Sequence, residues 1–151
     1  MNISILIVED GNEYLDNLSR FVHGFTYNQA HNGAEAVRLL NQEDVDLIYL
    51  DMRFDRIPVG DLLGDHAEVT RRHNGDPARA WRHLQDNQGL YILSYLNEQK
   101  CGHIPVVLAY DFTQEQRRFE FLSKQHPLLA WVPDAVTPDE IRDLIVRLCG
   151  K

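Results

Sequence analysis

Two apolar runs in this chain stop abruptly on acid. Ile5-Leu6-Ile7-Val8 runs into Glu9-Asp10, and Leu47-Ile48-Tyr49-Leu50 runs into Asp51. A short stretch that is apolar at every position, rather than at alternate ones, fits a strand covered on both faces, as in a parallel sheet. Val106 to Tyr110 and Leu128 to Val132 are two further runs of this kind, and a weaker strand is expected over Tyr27–Ala30.

Helical spacing fills the intervals between these strands. Leu15, Leu18, Phe21 and Val22 mark a first helix. Asn32-Gly33 signals a turn, and Ala36, Val37 and Leu40 mark a second helix. Thr113 is placed to cap a helix reaching about Lys124, with Gln116 closing a capping box. Thr137-Pro138-Asp139-Glu140 is a full start signal, with a capping Thr, Pro at the first helical position and Glu to close the box. Ile141, Leu144, Ile145 and Leu148 give that last helix its apolar stripe. Strands alternating with helices imply a doubly wound α/β domain with five parallel strands and right-handed crossovers.

The rhythm breaks once, at an insertion of residues 54–87 between the third strand and the third helix of the pattern. It exceeds an ordinary strand-to-helix loop and is densely charged. A short helix is expected over 64–72. Asp76-Pro77 opens another, expected to continue through Gly89 to about Gln99, with polar Gln88 interrupting an apolar stripe that includes Trp81, Leu84, Tyr91, Tyr95 and Leu96. The apolar residues of the insertion (Ile57, Val59, Leu62, Leu63, Val69) predict an ordered cover folded over or beside Asp51 rather than a disordered loop.

Strands that end side by side would place Glu9, Asp10 and Asp51 at one edge of the sheet. Taken singly, each acid caps a following helix or faces water. Taken together they favour a cation-binding pocket, because clustered carboxylates repel unless a cation stands among them. Mg²⁺ is the fitting ion, being hard, oxygen-bound and reluctant to lose its waters. His66, His73 and His83 have no spacing of a known metal motif. Arg71, Arg72, Arg79 and Arg82 read as a solvated helix face.

Composition narrows the classes. The 151 residues are 44% hydrophobic and 25% charged, as in a globular protein of one domain. A net charge of −8 argues against nucleic acid as a direct partner. No run has the length of a membrane span and no export signal is visible. Cys101 and Cys149 read as two reduced thiols in a cytoplasmic protein.

In order, these pieces resemble the receiver domain of two-component response regulators. Val8-Glu9-Asp10 resembles that family's acidic pair for Mg²⁺, and Asp51 its phosphoryl-accepting aspartate. Asn32-Gly33-Ala34-Glu35-Ala36, Gly89-Leu90 with Ile92-Leu93, Ile104-Pro105-Val106-Val107-Leu108 and Trp131 to Ile141 resemble the family's other stretches, in sequence order. The resemblance implies a flavodoxin-like fold of strand order 2-1-3-4-5, with its site at the carboxyl ends of the strands. It also implies a phosphorelay role without enzymatic turnover of its own, and a histidine kinase or other signalling protein as partner. In such a site Asp51 is the nucleophile, and Mg²⁺ is held by Glu9, Asp10, Asp51 and the backbone carbonyl of Arg53.

Two departures stand out. The family's Thr or Ser after the fourth strand is Tyr110 here. The family's Lys after the fifth strand is Val132 when Pro133 is matched to its Pro, or Asp134 when counting back from Thr137-Pro138. An acid there would oppose a phosphoryl group, since two charges about 4 Å apart interact by roughly 4 kcal/mol at an effective dielectric near 20. The resemblance therefore divides into a phosphoacceptor and a pseudo-receiver, an interaction module that keeps the fold without the phosphate switch. A haloacid-dehalogenase-type phosphotransferase also uses a strand-terminal Asp, but after its first strand and with a second Asp two residues on, whereas this chain reads Glu9-Asp10-Gly11.

Overall fold

A computed structural model describes residues 2–150. The strands are β1 (Ile3–Val8), β2 (Phe25–Ala30), β3 (Leu47–Asp51), β4 (Val106–Ala109) and β5 (Leu129–Trp131). They form one parallel sheet of order β2-β1-β3-β4-β5. The helices are α1 (Glu13–Phe21), α2 (Gly33–Gln42), α3 (His66–Arg72), α4 (Pro77–Asp86), α5 (Gln88–Glu98), α6 (Gln116–Gln125) and α7 (Pro138–Leu148).

The all-apolar strands are explained by cover on both faces. Ile3, Ile5, Ile7, Leu47, Tyr49 and Val107 pack with Leu18 of α1 and with Ile141 and Ile145 of α7. Leu6, Val8, Ile48, Leu50 and Leu108 point the other way, onto Ala36 and Val37 of α2 and Ile92, Leu93 and Leu96 of α5. Each such side chain, fully buried, contributes about 1.5–3 kcal/mol.

Local start signals act where the sequence places them. The Asn32 side chain accepts the Glu35 N–H at 2.8 Å. Thr137 and Glu140 close their capping box, with Pro138 at the first position of α7. The Asp76 carboxylate accepts the N–H groups of Ala78 and Arg79. The short helix expected near 64–72 is α3, capped by Asp65.

Two expectations are corrected. Pro77 to Gln99 is not one helix; it breaks at Asn87 into α4 and α5. The chain leaving β3 requires the break. The Phe54 N–H donates to the Gln85 carbonyl and the Gly89 N–H donates to the Met52 carbonyl, both at 2.9 Å. An unbroken helix would spend those groups on itself. Gln88, wholly buried, donates to the carbonyls of Leu63 and Leu84 and accepts the Leu63 N–H. Its intrusion into an apolar stripe was the visible sign of the junction.

The second correction concerns Thr113, which does not cap α6. Its N–H is taken by Asp111, Phe112 is fully buried between Tyr110, Phe119 and Trp131, and α6 starts after Glu115.

The insertion is ordered and has its own small core of Val69, Ala80 and Leu84, against which Leu62, half-buried Trp81 and Tyr91 pack. Its first residues cross the carboxyl edge of the sheet beside β1 and β3.

Candidate functional site

Register places the acids. Val8 pairs with Leu50, so Glu9 and Asp51 each follow a member of one neighbouring pair, with Asp10 next along. The edge thus gathers all three acids, but each has a different environment.

Glu9 is almost completely buried, with 1% of its surface exposed. One carboxylate oxygen accepts the Tyr14 N–H at 3.0 Å; the other accepts the Leu15 N–H at 2.9 Å and the Gln29 side-chain amide at 3.0 Å. Asn12, at the cap position of α1, makes no side-chain cap bond. Glu9 supplies the cap instead, satisfying amides that helix geometry leaves open and meeting the positive end of the dipole.

The Asp10 side chain is also buried, with 2% exposed. Its Oδ2 accepts the backbone N–H groups of Asp55 and Arg56, each at 3.0 Å, and its Oδ1 faces Arg56 Nη2 at 3.3 Å. Arg56 also forks onto Glu13, Nη1 at 2.6 Å and Nη2 at 3.0 Å. The guanidinium draws the Glu13 carboxyl down to about 2, and the two acids raise the Arg56 pKa in return.

Among the described residues Asp51 has no cation partner. One oxygen accepts the adjacent Met52 N–H at 2.8 Å. Burial, then the negative charges of Asp10 and Glu9, push its pKa up to about 7 against the pull of the Met52 and Arg53 backbone amides. Its carboxylate opens on a cleft of about 440 Å³ shared with Arg53, Asp86, Asn87, Tyr110 and Arg118. The exposed Arg53 side chain is paired with Asp86 at 3.0 Å and with Asp55 at 3.6 Å.

The expected trio therefore shares an edge without forming a cation nest. Glu9 and Asp10 each accept three of the protein's own donors, and among the described residues no three His, Cys, Asp or Glu side chains stand together as a metal site. As arranged, the cation at Asp10 is the guanidinium of Arg56, and Glu9 turns to the start of α1. His73 and His83 stand with ring centroids 5.6 Å apart, but among the described residues the histidines complete no group of three possible ligands. His66 stacks on Trp81 with ring centroids 3.6 Å apart, and its Nε2 lies 3.1 Å from the Pro77 carbonyl. His83 Nε2 lies 3.2 Å from the Tyr91 hydroxyl. Arg71, Arg72, Arg79 and Arg82 are exposed.

Past β4, the Tyr110 hydroxyl donates to Glu115. Arg118 is held by the same Glu115 at 2.9 Å and by the Asn87 side-chain oxygen at 2.7 Å. Past β5, Val132 is buried and Asp134 is exposed, its N–H bound by Asp111. Neither alignment places a cation there. Arg118 was missed from sequence, because Asn87, which holds it, lies 31 residues away along the chain.

No protein-family model matches the chain, and no curated protein matches it in sequence. Solved structures do. The chain is similar to the receiver domain of a Francisella response regulator, at 16% identity over 99% of this chain and 98% of that one, with a TM-score of 0.64. It is similar to a response regulator receiver domain protein from Clostridium thermocellum, at 14% identity over 98% and 94% and TM-score 0.64. It is similar to the receiver domain of a signal transduction histidine kinase from Syntrophus aciditrophicus, at 19% identity over 97% and 89% and TM-score 0.63. Over nearly its whole length the chain has the fold of response-regulator receiver domains.

Proposed function

We propose that this chain is a signalling module of the pseudo-receiver kind, which acts by binding a protein partner and not through a phosphate switch. The partner is a histidine kinase or another signalling protein, met in the cytoplasm. Among the described residues no helix is long and apolar enough to cross a membrane. The residues just after β4 and β5 carry this reading above all. The Tyr110 hydroxyl is committed to Glu115, and the place after β5 holds buried Val132. A phosphoryl group on Asp51 would meet neither a free hydroxyl nor a cation from these two strands. Such a group is stabilised by charge-assisted bonds, which are about twice as strong as neutral ones.

A second reading keeps Asp51 as the nucleophile of a Mg²⁺-assisted phosphorelay. One observation favours it: Asp51 opens on a cleft that already holds the guanidinium of Arg118. Incubation with acetyl phosphate and Mg²⁺, followed by intact-mass measurement, separates the two. The pseudo-receiver stays unmodified. A phosphoryl adduct that disappears in Asp51→Asn establishes the second reading.

A further inference from the structure

We propose that Arg56 is a tethered cation that holds the place at Asp10 which a divalent ion would otherwise take. The acid cluster needs positive charge, and the insertion supplies it covalently. Three donors from one dipeptide converge on a single buried carboxylate: the Asp55 N–H, the Arg56 N–H and Arg56 Nη2. The same guanidinium forks onto Glu13 in the first turn of α1. It crosses so close to the backbone that a Cβ on Gly11 would lie 2.4 Å from Nη2. The same Cβ would lie 2.4 Å from the Glu13 carboxylate, so a methyl on Gly11 would shift both ends of this ion pair.

The chemistry favours the guanidinium over the ion. Mg²⁺ demands near-octahedral oxygen ligands and gives up its waters reluctantly, whereas Asp10 has both oxygens occupied and Glu9 faces α1. A planar fork matches carboxylate geometry and needs no dehydration of that kind. Being part of the chain, it also competes at a fixed and high effective concentration. The consequence is structural as well as electrostatic: Arg56 ties the exit of β3 to the start of α1, across the carboxyl edge.

Arg56 acts on the metal side of the edge, whereas the pseudo-receiver reading rests on the β4 and β5 side, so the two can fail separately. Thermal unfolding is measured with and without millimolar MgCl₂ at constant ionic strength, on the wild type, Arg56→Gln and Gly11→Ala. The wild-type Tm is expected to be unchanged by Mg²⁺. Arg56→Gln keeps the stem and backbone donors but loses the charge, and Gly11→Ala keeps the charge but displaces it. Arg56→Gln is expected to lower Tm, and both variants are expected to gain a Mg²⁺-dependent rise, reversed by chelator. An ion tenfold above its dissociation constant gives roughly 3–6 °C in a chain of this size. A Mg²⁺-dependent rise in the wild type overturns the proposal. So does the lack of any response in both variants, which would mean that Arg56 holds no cation's place.

Discussion

Gly89→Ala is expected to destabilise the protein by about 1–3 kcal/mol, the usual cost of forcing a group into a filled interior. A Cβ at this position would lie 2.5 Å from the backbone oxygen of Asp51 and 2.9 Å from the Cα of Met52. Both are main-chain atoms of the chain leaving β3, so no rotamer change relieves the contact. The Gly89 N–H also donates to the Met52 carbonyl, fixing how α5 approaches the sheet. Intrinsic propensity argues the opposite, since Ala is favoured over Gly inside a helix by about 1 kcal/mol. Urea unfolding therefore tests the packing by sign as well as by size. A neutral or stabilised variant would mean that α5 does not rest on the end of β3 as described.

Asp51→Asn is expected to stabilise the protein at neutral pH. The folded chain holds the Asp51 proton up to about pH 7, against an ordinary value of 3.8. Between these two values the folded state binds more protons than the unfolded state, so stability falls as pH rises through the window and levels off above it. Asn carries no charge and removes that loss. The full difference of about 3 pKa units corresponds to about 4 kcal/mol. The carboxylate opens on water in its cleft, so screening reduces the expected gain to about 1–2 kcal/mol. Wild type and variant should be equally stable near pH 4 and diverge towards pH 8. Parallel profiles would show that burial and the neighbouring acids do not raise the Asp51 pKa.

The fold was largely legible from sequence because its signals are local. Runs such as Ile5–Val8 and Leu47–Leu50 announce strands covered on both faces, and Thr137-Pro138-Asp139-Glu140 and Asp76-Pro77 announce helix starts through caps that lie within four residues. The site was half legible. That Glu9, Asp10 and Asp51 reach one edge follows from strand ends; what each carboxylate does there does not. Glu9 as the cap of α1 depends on the path of the chain after Gly11 and on Gln29 from β2. The pairing of Asp10 with Arg56 joins residues 46 apart. No periodicity connects them, and a single arginine in a charged insertion carries no mark of its partner. Arg118 meets Asn87 only because α6 and the α4–α5 junction pack together, so its role emerges from tertiary structure alone.

The most direct test of the central claim, a receiver fold without a phosphate switch, is a backbone amide NMR spectrum recorded with and without beryllofluoride and Mg²⁺, a phosphoryl mimic for an aspartate in such a fold. Unchanged resonances are expected for Tyr110, Asp111, Val132 and Asp134, at the ends of β4 and β5. Saturable shifts at those residues, lost in Asp51→Asn, would contradict that claim.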